Sequence, residues 1–225
     1  GETQFMQMVI RRESGVQDTA AVDPGIIAGA ASRDIAAIGR GYLDAVTYRL
    51  GGEAMFIDKL PYNFLFLGFI AKAYPHARIV QMLRDPMDTC FSMYKQVFTW
   101  AYKFSYSLDH LGRYFVAWHR LLEHWRELLG DRLLEVRYEA LVADQRAETG
   151  RLLDGIGLDF EPACLDFEKN RAATTTASSV QVREKIHSSA VGPEPPTETN
   201  RICVVWCCTS LAPSPKLGRP MRYRH

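Results

Sequence analysis

Apolar and polar positions alternate along this chain with two different periods. From Arg33 to Leu50 the apolar residues Ile35, Ile38, Tyr42, Ala45 and Val46 recur at helical spacing, and Gly51-Gly52 ends the run. Ala54–Asp58 is a short apolar stretch of strand length. Pro61–Ala73 reads as a helix, with proline at its first turn and Pro75 beyond its end. Arg78–Leu83 reads as a second strand, and Pro86–Phe98 as a helix with Asp88 near its positive end. The clearest pattern is Leu108–Leu129, where Leu111, Phe115, Trp118, Leu121, Leu122, Trp125 and Leu129 form one stripe. Such a stripe belongs in a core. Gly130-Asp131 closes it, Arg132–Arg137 is a third strand, and helices are expected over Gln145–Gly155 and Glu161–Asn170.

Strands separated by helices predict an α/β fold, a parallel sheet flanked by helices on both faces. The pattern stops at Gly192. Residues 193–225 hold Pro193, Pro195, Pro196, Pro213, Pro215 and Pro220, and Cys203, Cys207 and Cys208, with no sustained period. They are expected to be a disordered or non-native tail, the product of a frame change in the source gene, following a catalytic domain over 1–192.

Composition changes this picture little. At 225 residues, 47% hydrophobic and 24% charged, the chain can bury a core without cross-links. A net charge of +1 gives no bulk attraction for nucleic acid or an anionic membrane. No apolar run approaches the ~20 residues of a membrane span. No secretory leader opens the chain, so a cytoplasmic location is expected. Five cysteines without a repeated spacing do not form a disulfide framework. Cys203, Cys207 and Cys208 lack a second cluster with metal-ligand spacing, so no metal is expected.

Candidate chemistry sits where open parallel sheets bind ligands, at the carboxyl ends of strands. Lys59 follows one strand, at a position where an ammonium could neutralise a group in transfer. Spacing alone equally allows a surface lysine with its stem on apolar neighbours. Arg84 follows the next strand, beside a helix start, where a guanidinium and unpaired N–H groups suit a phosphate. Ser92 lies about two helical turns further along. By spacing alone an Arg84–Asp85 cap arrangement is the stronger reading.

Four blocks in order carry more. They are Phe56–Phe64 (FIDKLPYNF), Ala77–Ser92 (ARIVQMLRDPMDTCFS), Leu134–Val142 (LEVRYEALV) and Thr176–Arg183 (TASSVQVR) followed by His187–Gly192. Together they resemble the sulfotransferase family, in its bacterial type related to tyrosylprotein sulfotransferases, across residues 1–192. The resemblance implies a fold like that of P-loop nucleotide hydrolases. It implies sulfuryl transfer from 3′-phosphoadenosine 5′-phosphosulfate (PAPS) to a hydroxyl of a protein tyrosine, sugar or small molecule, without a metal. It assigns Arg84 and Ser92 to the 3′-phosphate of PAPS, Tyr138 to the nucleotide, and Lys59 and Ser178 to the sulfuryl group. Gly1-Glu2-Thr3 is similar to the end of the family's first segment, which makes Glu2 the general base.

The family's first loop, which cradles the 5′-phosphosulfate, normally precedes that segment. It is expected to be missing here together with the first strand, leaving a neighbouring strand unpaired and nucleotide binding weakened or lost. No Gly-Lys-Ser/Thr loop replaces it, which counts against the alternative of a kinase-like nucleotide-binding enzyme. A second alternative is a non-catalytic interaction domain that uses the tryptophan-bearing helix.

Overall fold

The structure, a computed structural model, describes residues 3–16, 23–50, 55–98, 102–166 and 204–209. In chain order the elements are α1 (Phe5–Ser14), α2 (Pro24–Ala31), α3 (Ile35–Leu50), β1 (Met55–Lys59), α4 (Leu67–Ala73), β2 (Arg78–Leu83), α5 (Pro86–Lys95), α6 (Leu108–Leu129), β3 (Leu133–Arg137), α7 (Tyr138–Ala143), α8 (Gln145–Ile156) and β4 (Val204–Thr209). The chain divides into two compact units between Ile79 and Val80, inside β2. The first holds α1–α4, β1 and β4; the second holds α5–α8 and β3.

In the first unit, α1 and α2 form a pair that the period reading did not anticipate. Met6, Val9 and Ile10 bury the inner face of α1. Asp23 caps α2 by accepting from the Ile26 N–H at 2.9 Å, with Pro24 at the first helical position. The two helices approach closely at Gly29, where an added Cβ would stand 2.6 Å from the Ser14 carbonyl oxygen. Helix α3 buries Ile38, Tyr42 and Val46, one residue per turn. The expected helix Pro61–Ala73 divides into a 3₁₀ segment, Pro61–Phe66, and then α4. Pro61, Asn63, Phe64 and Phe66 of the 3₁₀ segment are buried, and Leu67 and Ile70 continue that burial into α4.

Strand β1 pairs with β4 antiparallel, from Met55 opposite Thr209 to Lys59 opposite Val205. Strand β1 has a partner, and the region after Gly192 contributes a strand built from Val204, Val205 and Trp206, residues of high β propensity. The pair is antiparallel where the class predicts parallel strands.

In the second unit, β2 and β3 are neighbours, and their carboxyl ends lie together. They therefore run parallel, as an α/β fold requires. Helix α6 spans the predicted residues and buries Leu111, Trp118, Leu122 and Leu129, with the rest of the predicted stripe partly buried. Its stripe is core. Met93, Phe98 and Leu111 form the cluster between α5 and α6, with Phe104 stacked on Tyr114 at 3.8 Å. Arg126, near the end of α6, grips Glu135 of β3 with two nitrogens, at 2.6 and 3.1 Å. Where a helix was expected over Glu161–Asn170, the described residues hold one 3₁₀ turn, Pro162–Leu165.

Candidate active site

The second unit builds its site at the β2–α5 junction. Asp85 ends the strand run and caps α5. Its carboxylate accepts from the N–H groups of Met87 and Asp88 at 2.8 and 3.0 Å, and Pro86 fills the position that needs no donor. The Asp85 N–H donates to Glu139 Oε1 at 2.7 Å, which ties this turn to the first turn of α7. The strand ends of β2 and β3 are thereby fixed against each other.

Arg84 is held inside this frame. Its side chain is 7% exposed, and Nη2 donates to Asp88 Oδ2 at 3.1 Å. Its guanidinium carbon stands 4.9 Å from the centroid of the Tyr138 ring. A cation over an aromatic face, with one edge on a carboxylate, has few orientations left to it. Spacing placed Arg84 two turns from Ser92. The structure draws the guanidinium onto the first turn of α5, and Asp88 precedes Ser92 by four residues on the same helix face. Ser92 is buried, as is Thr89.

Tyr138 opens α7 and is buried. Burial pushes its phenol pKa above the ordinary value of 10.0; the Arg84 charge opposes that shift, and Glu139 and Asp88 add to it. The ring stays neutral and offers its face. The nearby Cys90 thiol is also pushed up, by burial and then by the Asp85 charge, which makes it a poor nucleophile.

Lys59 closes β1 in the first unit and is half-buried. The residue before it, Asp58, is 2% exposed. Asp58 Oδ2 accepts from the Tyr42 hydroxyl of α3 at 2.8 Å and from the Thr3 hydroxyl at 3.1 Å. Tyr42 also stacks on Phe56 at 6.3 Å. Phe56 and Asp58 therefore share the strand face that meets α3. By the two-residue alternation of a strand, Lys59 leaves from the opposite face. Burial raises the Asp58 pKa above 3.8, against the lowering effect of the Tyr42 and Thr3 hydrogen bonds.

Of the sequence-derived candidates, Arg84 and Tyr138 are in contact and Ser92 lies on the adjoining helix. Lys59 belongs to the other unit. Glu2 and Ser178 lie outside the described residues. Sequence reasoning passed over Asp58, Asp88 and Glu139, which support the candidates. Asp88 was legible as a partner for Arg84 from its i, i+4 spacing. Glu139, fifty-four positions from Asp85, left no local signal. Among the described residues no group of three or more His, Cys, Asp or Glu gathers as a metal site, and no helix is long and apolar enough to cross a membrane.

The profile of the sulfotransferase family matches residues 4–162, which contain the whole β1–α8 core and both strand-end sites. The chain belongs to the sulfotransferase family. It is also 29% identical over 153 residues to an uncharacterized protein of Aquifex aeolicus (strain VF5). That alignment covers 67% of this chain and 20% of the relative, so the chain spans about one fifth of that protein's length. No solved structure matches the chain significantly.

Proposed function

We propose that this chain carries the nucleotide-binding and catalytic core of an enzyme that transfers a sulfuryl group from PAPS to a hydroxyl acceptor. The observation that carries the proposal is Arg84. It is a nearly buried guanidinium at a strand's carboxyl end, beside the start of α5, oriented by Asp88 and the Tyr138 ring. Its fixed plane and donors suit the 3′-phosphate of PAPS. The nearby carboxylates do not stand bare against an anion: Asp85 holds two amide N–H groups, Glu139 holds one, and Asp88 holds Arg84.

In this reading Arg84 and Ser92 hold the 3′-phosphate, and the Tyr138 face lies along the nucleotide. The acceptor oxygen attacks sulfur in line, forming the new S–O bond. The S–O bond to the 5′-phosphate breaks, and 3′-phosphoadenosine 5′-phosphate leaves. Glu2 takes the acceptor proton as general base. Lys59 and Ser178 balance charge on the sulfuryl oxygens and the leaving phosphate as the bonds exchange. Positioning and fixed charge supply most of the acceleration in transfers of this kind. The reaction itself needs no electron transfer. The acceptor is a protein tyrosine, a sugar hydroxyl or a small-molecule hydroxyl, and the experiment separates these classes.

The test is transfer of labelled sulfuryl from PAPS to a panel of tyrosyl peptides, sugars and phenols, with wild type beside Lys59→Ala. Losing one preorganised charge at the transferring group is expected to lower kcat by about 10²–10³. A Lys59→Ala chain that transfers at the wild-type rate would remove Lys59 from the mechanism.

A further inference from the structure

Asp58 is a buried carboxylate that the proposed chemistry does not use, and its geometry gives it a task. One oxygen, Oδ2, gathers two hydroxyls from chain segments far apart in sequence, Tyr42 of α3 and Thr3 ahead of α1. The other, Oδ1, is buried without a hydrogen-bond partner among the described residues. A carboxylate so desolvated is costly to keep, and its two donors are correspondingly strong holds. Nothing about β1 as a strand calls for it, since an apolar residue would fill that inward position at lower cost.

The positions it ties together are informative. Asp58 immediately precedes Lys59, and Thr3 immediately follows Glu2. The two residues read from sequence as the electrostatic catalyst and the general base are thus each one peptide from a group on this carboxylate. The Phe56 and Asp58 face of β1 is locked onto α3 through Tyr42, which fixes the opposite face, from which Lys59 departs.

We infer that Asp58 is a positioning residue for sulfuryl transfer, the joint that holds the Thr3 segment and the Lys59 end of β1 in one register. It touches neither substrate nor nucleotide, and it acts through its neighbours. This inference rests on the sulfuryl-transfer reading above, and its test is arranged to separate the two. The nucleotide contacts read at Arg84, Ser92 and Tyr138 belong to the other unit, so a fault at Asp58 should leave them intact.

The experiment compares wild type with Asp58→Asn, Thr3→Val and Tyr42→Phe. It measures amide hydrogen exchange over Thr3–Met8, calorimetric affinity for 3′-phosphoadenosine 5′-phosphate, and kcat and KM for transfer from PAPS. Thr3→Val is expected to fold as wild type and to raise exchange over Thr3–Met8. It should lower kcat by about tenfold, the scale of one charge-assisted hydrogen bond, with KM for PAPS and nucleotide affinity within about twofold. Thr3→Ser, which keeps the hydroxyl, should restore both exchange and kcat. Exchange that stays at the wild-type level in both Thr3→Val and Asp58→Asn overturns the joint, whatever the activity. Raised exchange with unchanged kcat overturns its catalytic role. A folded wild type that neither binds the nucleotide nor transfers sulfuryl overturns the sulfuryl-transfer reading, and the catalytic role with it, while the exchange arm still decides whether the joint exists.

Discussion

Two carboxylates, Asp58 and Asp88, show how burial turns a common residue into a specific one. Asp88 is held at 3.1 Å from a cation, whereas Asp58 Oδ2 accepts from the Tyr42 and Thr3 hydroxyls. The pKa of Asp58 is consequently raised in the folded chain, with burial the largest cause. A folded state that holds the proton more tightly than the unfolded one loses stability as pH rises from 3.8 through the higher folded value. Wild type is therefore expected to lose ground relative to Asp58→Asn between acid and neutral pH, as read by urea unfolding of both chains at each pH. A constant difference between them across that range would show that Asp58 carries no such shift. At Tyr138 the ring face meets Arg84. Tyr138→Phe should keep affinity for 3′-phosphoadenosine 5′-phosphate within about twofold. Tyr138→Leu should weaken it by roughly 3- to 30-fold, the scale of a partly desolvated cation–aromatic contact.

Elements with one strong period were legible from sequence, and elements set by tertiary contact were not. Strand β2 and helix α6 occupy the predicted residues because a β-rich run and a long amphipathic stripe each admit one answer. The segment after Lys59 read as one helix, and the structure divides it into a 3₁₀ segment, Pro61–Phe66, and α4. Helix α5 stops at Lys95, short of the predicted Phe98, where Gln96 turns extended. Helix α2 was announced by Asp23-Pro24, but its run of Ile, Ala and Gly has no polar face to give a period. At the site, Arg84 and Lys59 were legible as strand-end cations, whereas the Asp85–Glu139 and Asp58–Thr3 links join distant segments and leave no sequence pattern. Two substitutions test the element account. Gly29→Ala should destabilise the α1–α2 pair by about 1–3 kcal/mol, since the backbone of Ser14 has no rotamer to move aside. Asp85→Ala should cost about 1 kcal/mol through the lost cap, with Asp85→Ser recovering most of it in urea unfolding.

Across the whole molecule, the family match spans the strands and helices that carry Lys59, Arg84, Ser92 and Tyr138. It leaves the acceptor to experiment. The region after Gly192 was read as a tail apart from the fold, yet Val204–Thr209 pairs along the full length of β1. Ending the chain at Gly192 should therefore raise amide exchange over Met55–Lys59 by at least about tenfold, because β1 would become an unpaired edge on that side. Unchanged exchange there would mean that β4 is not needed by β1. In the proposed function the β2–α5 junction recognises a 3′-phosphate through Arg84. The most direct test is calorimetric titration of wild type and Arg84→Ala with 3′-phosphoadenosine 5′-phosphate and with adenosine 5′-monophosphate, which lacks the 3′-phosphate. Wild type should favour the first nucleotide, and Arg84→Ala should lose about 10- to 100-fold in affinity for it and the preference with it. A wild type that binds both nucleotides equally, or an Arg84→Ala chain that keeps the preference, would contradict the assignment.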